Sequence, residues 1–172
     1  VLETARGGVL TLGIAYDRCD VSLCLNVTPD HLGDRGVDSL EQMAQIKRRV
    51  LERASAGVVL IADDPLCLAM APFPDARRLC LVSMQRPARE LAADGAGADC
   101  LAVLERIDGA EWLVIHEGGT RLPLMDVAQV PATFEGLVRY NVANALHAAA
   151  ACHLAGIDHA AIRQGLAGFR MS

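Results

Sequence analysis

No run of lysine and arginine of useful length occurs in this sequence, and its formal net charge is -5. Both observations argue against a nucleic-acid-binding surface and favour small molecules or other protein domains as partners. The six cysteines, Cys19, Cys24, Cys67, Cys80, Cys100 and Cys152, form no C-x-x-C pair and no regular spacing. Most sit in apolar runs, where a free thiol behaves as a small hydrophobe, so a reduced, cytoplasmic protein is expected. No stretch reaches the ~18 apolar residues that a membrane span needs, and no signal-peptide pattern is present. Internal repeats, low-complexity tracts and domain-scale linkers are lacking too, and so is the phosphate loop G-x-x-x-x-G-K-S/T.

What is present suits one folded domain. Hydrophobic residues make up 52% of 172 residues and charged ones 22%, enough to bury a core and too apolar for a disordered tail. Residues 19–27, CDVSLCLNV, read as a buried strand. A helix follows over SLEQMAQIKRRVLERA, with Ser39 as N-cap and Gln42 as its capping-box partner. Leu40, Met43, Ile46, Val50 and Leu51 recur at helical spacing and turn one face to a sheet. A second strand, residues 57–62, ends at Asp63-Asp64, and Pro65 starts a short helix. Residues 78–84 make a third strand. This β-α-β-α-β succession predicts an α/β fold with a mostly parallel sheet flanked by helices.

The pattern then changes. Residues 99–107, 111–116 and 119–124 predict short strands turning at Asp108-Gly109 and Gly118-Gly119, an antiparallel meander at one sheet edge. Two alanine-rich C-terminal helices, 138–155 and 159–168, are separated by Gly156, with Asp158 as N-cap of the second. The chain opens Val-Leu-Glu with no initiator methionine, as though inside a strand, and stops just after a helix. A partial sequence is therefore expected.

Several residues fall where ligands of parallel sheets collect, beyond the carboxyl ends of the strands. Glu3 precedes Gly7-Gly8, a pair that would let backbone approach a phosphate; hard oxygen ligands suit Mg²⁺. Asp30 and His31 follow the strand at 19–27, and a histidine beside a carboxylate can serve a metal site. Lys47 lies on the following helix, and Asp63-Asp64 closes the next strand. Each has a bland alternative: a solvated glutamate and a plain turn, a structural Asp-His pair, a solvated lysine, an Asp-rich cap of the Pro65 helix. Three successive strand ends bearing carboxylates favour a metal-phosphate site.

The order ETARGG, YDRCD, NVTPDHLG, Lys47, ADDP and Asn141-x-x-Asn144-Ala-Leu resembles the Mur ligases along essentially the whole chain. ETARGG, with VPATFEG shortly before the paired asparagines, resembles the cyanophycin synthetase branch in particular. ETARGG and DHLG together are fairly specific, whereas ADDP or the alanine-rich helix alone would be weak.

The resemblance implies an ATP-dependent amide ligase. Glu3 and His31 would ligate Mg²⁺, with Asp30 beside them. Lys47 matches a lysine that many Mur ligases carry as a carbamate. Asn144 and Asn141 would lie near the adenine of ATP, although helix capping and packing would also explain both. In the cyanophycin branch this type of domain adds L-arginine to the aspartate side chains of the polymer backbone, and a separate ATP-grasp domain extends that backbone. Homo-oligomers are general in the family.

The resemblance further implies that residues 1–172 are a partial central ATP-binding domain. The upstream phosphate loop and the downstream C-terminal domain that helps close over nucleotide are both missing, so the segment alone is expected to be inactive. Ile61 stands where the family often has asparagine, and Thr11-Leu12 where an arginine pair is common. Two alternatives stay open: a Mur-type ligase for a peptidoglycan precursor or related polymer, and a non-catalytic Mur-like module.

Overall fold

A computed structural model of the chain describes residues 1–30, 32–73, 78–93 and 97–170. Among these residues, six strands lie side by side in chain order: β1 (Cys19–Cys24), β2 (Ala54–Ile61), β3 (Arg78–Ser83), β4 (Cys100–Ile107), β5 (Ala110–Glu117) and β6 (Thr120–Asp126). The first four are parallel, and β5 and β6 continue the sheet antiparallel. The expected edge meander is therefore fused to the parallel core, with β4 belonging to both.

The helices are α1 (Arg6–Leu12), α2 (Leu40–Leu51), α3 (Pro65–Leu68), α4 (Ala88–Ala93), α5 (Arg139–Leu154) and α6 (His159–Gly168). Two-residue periodicity sorts the strands between two cores. Val58, Leu60, Leu79, Leu81, Leu101 and Val103 join Val9, Met43, Ile46, Cys67 and Leu91 under α1 to α4. Val59, Cys80, Val82, Cys100 and Ala102 face the opposite side and meet Val142, Leu146, Ala149 and Ala150 of α5 and Ile162 of α6. Truncating a fully buried leucine such as Leu60 or Leu81 to alanine would cost about 2–5 kcal/mol.

The capping box of α2 forms as its sequence requires. Ser39 Oγ accepts the Gln42 N–H at 3.2 Å, and Gln42 Oε1 accepts the Ser39 N–H at 3.3 Å. Asp158 likewise caps α6 through the Ala160 N–H at 2.8 Å. Close packing of α5 depends on Gly57 in β2: a Cβ there would meet Leu154 Cδ1 at 2.8 Å.

Three expectations need correction. Residues 1–5 form no strand, and Gly7-Gly8 form no open loop, because both glycines lie in the first turn of α1. That helix rests on burial of Val9 against the α2 side of the core, and it ends at Gly13, whose φ is 77°. The first strand stops at Cys24 instead of residue 27, since the Val27 N–H bonds the Asp64 side chain rather than a neighbouring strand. Helix α4 was not anticipated, although two adjacent parallel strands require a crossover, and α4 supplies it between β3 and β4.

Candidate functional site at the carboxyl edge of the sheet

The chain leaves β1, β2 and β3 at one edge, and there most of the singled-out residues gather. Lys47, the only lysine in the sequence, projects from α2 onto the end of β1. Its Nζ donates to the Asn26 carbonyl at 2.6 Å and lies 3.5 Å from Asn26 Oδ1. A cation is thus fixed at the carboxyl end of the first strand. Asp30 is exposed, accepting the Thr28 hydroxyl on Oδ2 at 2.9 Å. His31 lies outside the described residues.

The segment bearing Glu3 is tied to the same loop. Arg6 Nη2 pairs with Asp34 Oδ2 at 2.8 Å, and Arg35 Nη1 donates to the Gly7 carbonyl at 3.2 Å. Glu3 itself is exposed. Among the described residues, no group of three or more His, Cys, Asp or Glu side chains is arranged to hold a metal ion. Glu3 and Asp30 carry hard oxygen donors of the kind Mg²⁺ takes, but on separate exposed segments that, among the described residues, are not gathered into a metal site.

Asp63 and Asp64 turn out to be structural. Asp63 accepts the Ser83 hydroxyl on Oδ1 and the Met84 N–H on Oδ2 at 2.7 Å. Asp64 Oδ1 caps α3 through the Leu66 and Cys67 N–H groups at 2.9 and 3.3 Å, while Oδ2 takes the Val27 N–H at 2.6 Å. Their oxygens are already engaged, so the third set of strand-end carboxylates braces the edge instead of facing a ligand. Ile61 pairs with Val82 and packs on the core.

Helix α5 packs across the opposite face of the sheet, with Leu154 lying over Gly57 of β2. Asn141 is buried, and its Nδ2 donates to the Ala132 carbonyl at 2.7 Å, tying α5 to the turn at Pro131–Thr133. Asn144 is exposed and reaches Asn141 Oδ1 only at 3.5 Å. The two asparagines therefore differ: the first holds the fold, and the second presents its amide to solvent.

Two polar residues escaped the sequence reading. Ser83 is fully buried; besides donating to Asp63 it accepts the Gln85 and Arg86 N–H groups at 3.1 and 2.8 Å, shaping the turn after β3. His147 is buried within an alanine-rich helix, with Nδ1–H donating to the Ala143 carbonyl at 2.8 Å and Nε2 lacking a partner. Burial pulls its pKa below the ordinary value, and the Ala143 carbonyl and Asp63 offset this only in part. The only sequence signal was a lone polar residue in an apolar stretch, and that does not separate a site from a satisfied core position.

A surface cleft of about 440 Å³ between α1 and α2 is lined by Val9, Gly13, Ile14, Arg49, Glu52 and Arg53. It lies at the far end of α2 from Ser39 and the Asp30 loop, so it is not part of this site.

No family model matches the chain. Along its whole length it is 39% identical to cyanophycin synthetase from Crocosphaera subtropica and 38% identical to that from Synechocystis, in each case over 174 residues. The chain spans 19% of each of these relatives, about a fifth. It is also 32% identical over 160 residues to a UDP-N-acetylmuramoylalanine–D-glutamate ligase from Solibacter usitatus, covering 89% of the chain and 29% of that protein. MurF from Acinetobacter baumannii superposes with a TM-score of 0.53 at 18% identity, covering 88% of the chain and 29% of the structure. A pseudomurein peptide ligase type C from Methanothermus fervidus gives 0.52 at 17% identity, over 88% of the chain and 34% of that structure. The fold is the one found in Mur ligases. Within it, the sequence resembles part of cyanophycin synthetase from end to end.

Proposed function

We propose that this chain is part of the central ATP-binding domain of an ATP-dependent amide ligase of the cyanophycin synthetase type. The observation that carries this reading is the 39% identity extending over the entire chain. The peptidoglycan-precursor alternative has less support, with 32% identity over 89% of the chain. Because the relatives are about five times longer, the phosphate loop and the domain that closes over nucleotide would come from other parts of a longer protein.

In this reading the γ-phosphate of ATP passes to an aspartate side-chain carboxylate of the polymer. The α-amine of L-arginine then attacks the acyl phosphate, forming the amide and releasing phosphate. Catalysis of this kind is mostly positioning and charge neutralisation. Lys47, held on the Asn26 carbonyl, would be the lysine that many Mur ligases carry as a carbamate, whose negative charge would steady Mg²⁺. Glu3 and His31 would hold Mg²⁺, which supplies Lewis-acid neutralisation of the phosphates when bound, with Asp30 beside them. The exposed amide of Asn144 would meet the adenine, with Asn141 behind it.

Supplying one wall of a site is not enough for turnover. The purified 172-residue chain is expected to release no phosphate from ATP in the presence of arginine and a poly-aspartate acceptor. Arginine-dependent release by the isolated chain would overturn the partial-domain reading. Among the described residues, no helix is long and apolar enough to cross a membrane.

A further inference from the structure

Four of the six cysteines lie in two close pairs, and only one pair borders the carboxyl edge. Cys24 closes β1 and Cys67 lies in α3, 43 residues on; their sulfur atoms are 3.6 Å apart. Cys24 Sγ also sits 3.5 Å from the carbonyl of Asn26, the same carbonyl that holds Lys47. Asp64 binds the Cys67 N–H on one oxygen and the Val27 N–H on the other. The two sulfurs therefore occupy a node where β1, α2 and α3 meet directly beneath the proposed site.

We propose that Cys24 and Cys67 form a peroxide-responsive dithiol, whose closure to a disulfide resets the Asn26–Lys47 and Val27–Asp64 contacts of this edge. The step balances with hydrogen peroxide as oxidant. The Cys24 thiolate attacks one peroxide oxygen, the O–O bond breaks, and hydroxide leaves to give a sulfenic acid. Cys67 sulfur then attacks the Cys24 sulfur, the S–O bond breaks, and the departing hydroxide takes the Cys67 proton. Two thiols are oxidised, and one peroxide is reduced to two waters.

Asymmetry within the pair sets the order of events. The hydrogen bond from Cys67 holds the Cys24 thiol down to about 7 against the opposing effect of burial, and the nearby Lys47 charge adds to the lowering. The same contact, and then burial, pushes the Cys67 thiol up, and Cys67 is fully buried. Cys24, slightly exposed at the end of β1 and beside the carbonyl that holds Lys47, is the attacking sulfur, and Cys67, with no exposure, is the resolving one. Cys80 and Cys100 are closer still, with sulfurs 2.9 Å apart on paired positions of β3 and β4. Neither Cys80 nor Cys100 has any exposure, whereas Cys24 keeps 6% at the end of β1, so peroxide reaches the Cys24–Cys67 pair first.

The thiol chemistry can be tested on the 172-residue chain and is independent of the ligase reading; only its bearing on catalysis rests on that reading. One equivalent of peroxide should remove two hydrogens from the intact mass. Unreduced peptide mapping should show Cys24 joined to Cys67, and a thiol reductant should reverse the change. In Cys67→Ser, a 1,3-dione should trap a sulfenic acid on Cys24. Should that variant fail to fold, the mapping of the unmutated chain still decides. Unchanged thiols, a Cys80–Cys100 bond forming first, or Cys24 carried to sulfinic acid with Cys67 free would each overturn the proposal. Backbone amide signals of Val27 and Leu66, both bonded to Asp64, should shift on oxidation. Unshifted signals in a chain shown to carry the disulfide would overturn its coupling to the site.

Discussion

Asp64 joins two strand ends: its Oδ2 accepts the Val27 N–H at 2.6 Å, while Oδ1 caps α3. Replacing it with alanine removes a helix cap and strands the donor of a buried residue. Asp64→Ala should therefore lose about 2–3 kcal/mol of stability, roughly 1 from the cap and 1–2 from the orphaned N–H. Asp64→Asn, which keeps an acceptor, should lose less. Urea unfolding of the two variants measures both losses, and an Asp64→Ala loss no larger than the roughly 1 kcal/mol of the cap would mean that the bond to Val27 contributes nothing.

The paired asparagines of α5 should separate in their effects. Asn141→Ala leaves the Ala132 carbonyl without its donor inside the protein and should cost about 1–3 kcal/mol. Asn144 is exposed with one long bond, so Asn144→Ala should change stability by less than about 0.5 kcal/mol. In the full-length protein the same Asn144→Ala substitution should raise the KM for ATP. Thermal unfolding together with ATP titration of turnover checks both halves.

Stability should fall as the solution is acidified, in two stages. His147 has its pKa lowered from 6.5, chiefly by burial, so the unfolded chain takes up a proton first as the pH drops below 6.5. Its contribution is present above that pH and is lost as the pH falls through the lower folded value. Burial pushes Glu105 up, but bonds from Arg121 and His116 outweigh it, and Glu105 ends below the ordinary 4.5. Glu117 behaves alike, with His153 and Arg78 outweighing burial. Their contributions are present above 4.5 and are lost below it. His147→Leu should flatten only the first stage, and because it also removes a buried nitrogen without a partner, it should not destabilise at neutral pH. Urea midpoints measured from pH 7 to pH 4 test this; an undiminished first stage in the variant would count against the assignment.

The strands and the long helices were legible because their signals are local. Apolar runs, the Ser39 capping box and the Asp158 cap all lie within a few residues of what they specify. Helix α1 was not legible: Gly7 and Gly8 favour a loop, and only the burial of Val9 against a segment some 35 residues away organises a helix there. The roles of Asp63 and Asp64 were hidden for the same reason. Two carboxylates after a strand look like ligands until Ser83 and Val27, distant in sequence, are found on their oxygens. Lys47 could be placed on α2, but its hold on the Asn26 carbonyl depends on where β1 ends.

The most direct test of the proposed site is arginine-dependent ATP turnover by the full-length protein that contains this segment, compared with its His31→Ala variant. With His31 as the proposed metal ligand, its loss removes several kcal/mol of charge stabilisation, so arginine addition should fall by about 100-fold or more. On the proposed reading aspartate addition belongs to a separate domain, so it should stay within about twofold of the unmutated protein. Equal loss of both activities, or of neither, would contradict the account.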